Sequence, residues 1–112
     1  MRAIACALTL LAAATSNGWA QESTGKFYLP LCRAVLSAQF DPLGSMCLGF
    51  AHAARTYLRD APPPHRACVP SATPNADVVK VIITHLQRNS RRLHDNFALL
   101  TAEALSAAWP CK

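Results

Sequence analysis

Acidic residues are scarce in this 112-residue chain: six Asp and Glu stand against eleven Lys and Arg, a formal charge of +5. Glycine is sparse too, four in all, and they build no glycine-rich phosphate loop. No apolar run reaches the ~20 residues that a membrane-crossing helix needs. There is no G-x-S-x-G elbow, no H-E-x-x-H and no C-x-x-C pair. The four histidines, His52, His65, His85 and His94, include no i, i+4 ligand pair. Together these absences argue against an enzyme, a metal centre and a bound cofactor, and none of the three is expected.

What is present begins with an export signal. Met1-Arg2 gives a positive start, Ala3 to Ala14 a short apolar run, and Gly18 and Ala20 the small residues before a cleavage site. This three-part pattern predicts a signal peptide over residues 1–20, cleaved after Ala20, and a periplasmic domain over residues 21–112. Cys6 lies within the apolar run, far from the cleavage site, and is not read as a lipid attachment point. Without Arg2 the chain keeps ten Lys and Arg against six Asp and Glu. Such a mildly basic balance suits an acidic protein partner. Spread charges on an exported chain argue against nucleic acid as the partner.

Four amphipathic segments predict an all-α domain of two helical hairpins. In the first, Leu29, Cys32, Leu36 and Phe40 recur at helical spacing, and Pro30 places the start near Leu29, within the first turn. The turn at Phe40 to Gly44 follows, and Ser45 reads as the N-cap of a second helix running to about Arg59. Its buried stripe is Cys47, Phe50, Ala51, Ala54, Tyr57 and Leu58, with His52, Arg55, Thr56 and Arg59 on the opposite face. Gly49 costs a helix ~1 kcal/mol relative to alanine, so close packing against another helix is its expected reason. Pro62 to Pro64 stop that helix. The third carries Val78, Val79, Ile82, Ile83 and Leu86, a β-branched run for which a strand is the rival. The fourth is expected after Asn89-Ser90, with Leu93, Phe97, Leu100, Ala104 and Ala108 on one face.

Once Cys6 leaves with the signal, Cys32, Cys47, Cys68 and Cys111 remain, an even number that reads as two disulfides. Three connectivities are open. The two-hairpin topology favours Cys32–Cys47 with Cys68–Cys111, and pairing across the hairpins is the rival. Closing those loops is worth roughly 3 and 4 kcal/mol in the chain-entropy account.

The feature not absorbed by a core is a basic corner between the third and fourth helices. His85, Arg88, Arg91, Arg92 and His94 gather there, with Arg91 and Arg92 expected in the first turn of the fourth helix, where cations oppose the helix dipole. These five are the candidate partner-binding residues, set against the plainer reading of a solvated corner. Reversing the charge of Arg91 and Arg92 is expected to spare folding and weaken binding.

Three segments, Met46-Cys47-Leu48-Gly49-Phe50, Cys68-Val69-Pro70 and Ala104-Leu105 through Trp109-Pro110-Cys111, occur in an order that resembles the Rap/Tai-type immunity proteins of bacterial type VI secretion. Leu86 followed by Leu93-His94 is similar to that family's helical corner. Phe50 stands where a tyrosine is usual, Ala53 where glycine is common and Ser90 where proline often lies. The resemblance implies a small helical periplasmic protein, often a homodimer, that binds a cell-wall amidase effector and blocks its active site. The alternative is a small periplasmic stress or chaperone-like helical protein that exposes apolar surface in acid through its histidines.

Overall fold

A computed structural model describes residues 23–37 and 41–112. The expected signal peptide with Cys6, and the chain at 38–40, lie outside the described residues. Four helices make up the domain: α1 (Gly25–Val35), α2 (Gly44–Tyr57), α3 (Asn75–Arg88) and α4 (Phe97–Ala108). Single 3₁₀ turns follow α2 at Leu58–Asp60 and precede α4 at Ser90–Arg92. No named strand occurs among the described residues; the one bridge pairs Thr24 with Asn96.

The helix α1 starts four residues earlier than Pro30 suggests. Thr24 caps it, its hydroxyl accepting from the Phe27 amide at 3.2 Å. Pro30 therefore stands inside the helix, in its second turn, on an exposed position where a missing backbone donor costs least. The entry is also held from outside: Gly25 and Lys26 donate to the Asp95 and Leu93 carbonyls at 3.1 and 2.7 Å, and Phe97 donates to Ser23 at 2.7 Å. Gly25 is buried in that junction. A Cβ there would lie 2.7 Å from Leu100 Cδ1 and 3.3 Å from the Leu93 carbonyl oxygen, so only glycine fits without repacking.

Ser45 does not cap α2. Its hydroxyl donates to the Pro42 carbonyl, and Asp41 organises the turn by accepting from the Leu43 amide at 2.9 Å. Along α2, Cys47, Ala51, Ala54 and Leu58 are buried as the periodicity predicts, whereas Tyr57 is 46% exposed. The expectation for Gly49 fails. A Cβ at Gly49 would meet nothing within 4 Å, so the small residue faces open space.

The third helix settles the strand rivalry: Val78, Val79, Ile82, Ile83 and Leu86 are all buried on one face of α3. The fourth helix starts seven residues beyond Ser90. Asn96 caps it, its side-chain oxygen accepting from the Ala98 and Leu99 amides. Leu93 thus precedes α4, and Ala108 at its far end is exposed.

The core forms where α1 packs on α2 and α3 on α4, with α1 and α2 both meeting α3. Phe97 is its centre, 1% exposed, stacked on Tyr28 at 4.1 Å and tilted against Phe50 at 4.7 Å. The favoured disulfides are the ones present, Cys32–Cys47 with Cα atoms 5.1 Å apart and Cys68–Cys111 at 5.0 Å. The first is fully buried; the second ties the α2–α3 connection to the C-terminus, where Cys68 also donates to the Trp109 carbonyl at 2.8 Å. Two arginines, one on α2 and one on the 3₁₀ turn that follows it, hold the rest of that connection. Arg55 donates to the Thr73 and Pro70 carbonyls and, at 3.0 Å, to Asn75 Oδ1, while Arg59 donates to the Val69 carbonyl at 2.9 Å.

Candidate functional site

The corner between α3 and α4 holds all five candidate residues, and its geometry divides them. Arg92 is an internal brace. Its Nη1 and Nη2 donate to both carboxylate oxygens of Glu103, at 2.9 and 2.8 Å, and its Nε donates to Asp95 at 2.9 Å. That forked pairing is the strong form of an arginine–carboxylate contact. It also corrects the placement of the two arginines: both lie in the 3₁₀ turn ahead of α4, and the helix dipole has no quarrel with them.

His85 joins the same carboxylate. Its Nε2 lies 3.2 Å from Glu103 Oε2, and Asn89 fastens the end of α3 by donating to the His85 carbonyl at 2.8 Å. The Arg92 bond, reinforced by His85 and opposed by partial burial, holds the Glu103 carboxyl below its ordinary range. Glu103 is the residue that the sequence did not single out. It is eleven positions from Arg92, a spacing with no local meaning, whereas the Arg92–Asp95 pair at i, i+3 carries a readable signal.

The remaining three face outward. Arg88 and Arg91 are exposed, and neither has a hydrogen-bond or ion-pair partner among the described residues. His94 is 80% exposed at its side chain, with Nε2 3.3 Å from Asp95 Oδ1. Arg88 also edges a groove of about 390 Å³ between α3 and α4, with Lys80 and His85 on its side and Ala104 and Ala108 across from them. A corner fixed from within by Arg92 and Glu103 therefore presents Arg88, Arg91 and His94 to solvent. Such a surface suits recognition of carboxylates by charge and hydrogen bonding.

For covalent chemistry the site is poorly equipped. All four cysteines of the described residues are joined in disulfides, which removes the thiolate nucleophile. Among the described residues no group of three or more His, Cys, Asp and Glu could hold a metal ion, and no helix is long and apolar enough to cross a membrane.

The family model for Rap1a immunity proteins matches residues 24–111. No curated protein and no solved structure matches the chain. The family is one of generally non-catalytic proteins that bind a cognate effector. With the match running from the cap of α1 at Thr24 to the second disulfide at Cys111, the chain belongs to the Rap1a immunity protein family and is an immunity protein for a secreted effector.

Proposed function

We propose that the protein is exported to the periplasm, with cleavage after Ala20, and there binds a type VI secretion amidase effector over its active site. The mechanism is occlusion. The protein contributes a rigid surface and no reacting group, and the cell wall of the producer is spared because substrate cannot enter the blocked cleft. The observation that carries this reading is the corner of α3 and α4, where Arg88, Arg91 and His94 stand unneutralised or nearly so on a braced turn. Two disulfides and the three-part leader support an oxidising compartment outside the cytoplasm.

Association of two copies belongs to the same reading. Leu43, just ahead of α2, and Met46 and Tyr57 within it are 56%, 44% and 46% exposed, and Gly49 between them leaves room for a second helix. Light scattering on the purified protein measures whether it is a dimer.

The deciding experiment is co-expression with a periplasm-directed amidase toxin from the same genome. Protection and a co-purifying complex are expected, and Arg88→Glu with Arg91→Glu is expected to weaken both. Equal killing with and without this protein, and no complex, would sink the reading.

A further inference from the structure

The sequence places His52, Arg55, Thr56 and Arg59 opposite the buried stripe of the second helix, and the structure gives that face a shape of its own. His52, Arg55, Thr56 and Arg59 line a cavity of about 500 Å³, closed on its other side by Ser71, Thr73 and Asn75. The cavity lies at the N-terminal end of α3. That helix has 14 residues, so at 1.5 Å per residue the basic corner is about 20 Å away.

Three properties distinguish this cavity. First, no carboxylate of the described residues lines it. The closest acid along α3, Asp77, is 3.7 Å from Lys80. Second, both guanidinium groups are held in place but not neutralised. Every partner of Arg55 and Arg59 is a backbone carbonyl or the Asn75 amide oxygen. A guanidinium has five N–H donors, and these bonds leave donors free on each arginine. Arg92 is the contrast within the same molecule, since two carboxylates satisfy its charge. Third, α3 opens onto the cavity without a side-chain cap, and His52 is positioned by its 3.1 Å contact with the Asn75 side chain. Fixed cations, free donors, several hydroxyls and an excluded acid amount to a prepared anion site whose ordering cost is already met by the fold.

We infer that this cavity binds an acidic peptide segment, with adjacent carboxylates received by Arg55 and Arg59 and the chain lying against Ser71 and Thr73. The volume favours a peptide over a single small anion, for it falls within the ~300–1,000 Å³ of sites that enclose whole ligands. Two arginines four positions apart, one on α2 and one on the 3₁₀ turn that continues it, also match two carboxylates better than one. The inference stands apart from the effector reading, because it concerns the opposite end of α3 and is tested on the isolated protein.

The test is an NMR titration of the purified, disulfide-bonded protein with acetylated hexaglutamate, following backbone amides and arginine Nε–H signals. Saturable shifts are expected at Arg55, Arg59 and residues 69–76. Hexaglutamine should produce none. Thr56→Glu places a competing carboxylate in the cavity and should weaken binding at least about tenfold. Thr56 is exposed and makes only a 3.5 Å contact to the His52 carbonyl, so folding should survive. Ser71→Asp adds the same charge from the loop and should act alike, which removes dependence on α2. Arg88→Glu, at the far corner, should bind hexaglutamate as the parent does. Absence of shifts, shifts confined to residues 85–95, or unchanged affinity in both acidic variants would each overturn the inference. Inorganic phosphate reproducing the same shifts at the same concentration would overturn it as well, by making the cavity a small-anion site.

Discussion

Arg92 and Glu103 form a forked ion pair, both guanidinium end nitrogens within 2.9 Å of the carboxylate. This contact joins the 3₁₀ turn to the second turn of α4, and through His85 it reaches the last turn of α3. Two neighbouring arginines in the sequence therefore do opposite work: Arg91 offers its charge outward and Arg92 spends it on the fold.

That division predicts different outcomes from the same substitution. Arg91→Glu is expected to leave the thermal midpoint within experimental scatter of the parent. Arg92→Glu is expected to lower it clearly, because it removes the brace and places a third carboxylate beside Asp95 and Glu103. Thermal melts followed by circular dichroism distinguish them. Equal midpoints would show that the forked pair contributes nothing to stability. With unequal midpoints, the Arg91 variant alone is a clean probe of partner binding.

Glu103 makes stability depend on pH. Its carboxyl titrates below the ordinary value of 4.5 in the folded protein, chiefly because Arg92 donates to it and secondarily because His85 does. A folded-state value below the unfolded one means the contribution is fully present above about pH 4.5 and is lost as pH falls through the folded value. Urea unfolding of Glu103→Gln should accordingly show lower stability than the parent at neutral pH and a converging difference in acid. Parallel curves from about pH 7 to pH 3 would contradict this.

The glycines predict a pair of opposite effects. Gly25→Ala forces a Cβ to within 2.7 Å of Leu100 Cδ1 and 3.2 Å of Leu86 Cδ2, and overpacking of this kind costs about 1–3 kcal/mol. Gly49→Ala meets nothing within 4 Å inside a helix, so it should gain about 0.5–1 kcal/mol. Chemical denaturation reads both. A stabilising Gly25→Ala would mean that Leu100 moves aside without penalty.

Much of this architecture is legible in the residues, and the failures have a common cause. Val78 through Leu86 announce α3 by period, and the cysteine pairing follows from hairpins folding back on themselves. Those are local patterns. Ser45, Pro30 and Gly49 mislead because each is read by its own habit, while its surroundings decide: Asp41 organises the turn, Thr24 and the Asp95 carbonyl set the start of α1, and no described residue approaches a Cβ at Gly49 within 4 Å. The candidate site divides the same way. Its location at the corner could be read from charge, but the removal of Arg92 from it depends on Glu103, which only the fold brings near. Arg55 and Arg59 look like an exposed stripe because their backbone partners are carbonyls of a connection 10 to 18 residues away.

Thr101 offers a test of buried polarity. It is fully buried in α4, and its hydroxyl has no hydrogen-bond partner among the described residues. Valine has nearly the same shape without that group, so Thr101→Val should raise stability by about 1–2 kcal/mol. A loss on substitution would show that the hydroxyl finds a partner in solution, a bound water included.

The two disulfides join the cysteines in their order along the chain, first to second and third to fourth. For a polypeptide that reaches an oxidising compartment N-terminus first, this is the pairing that a sequential oxidant makes unaided. Cys32 meets Cys47 as soon as both emerge, which removes the two thiols best placed to capture Cys68 wrongly. Cys68 must then wait for Cys111, 43 positions further on, so the second clasp closes only after that residue has arrived. A molecule stalled before Cys111 keeps a free thiol at Cys68, half of an unfinished bond.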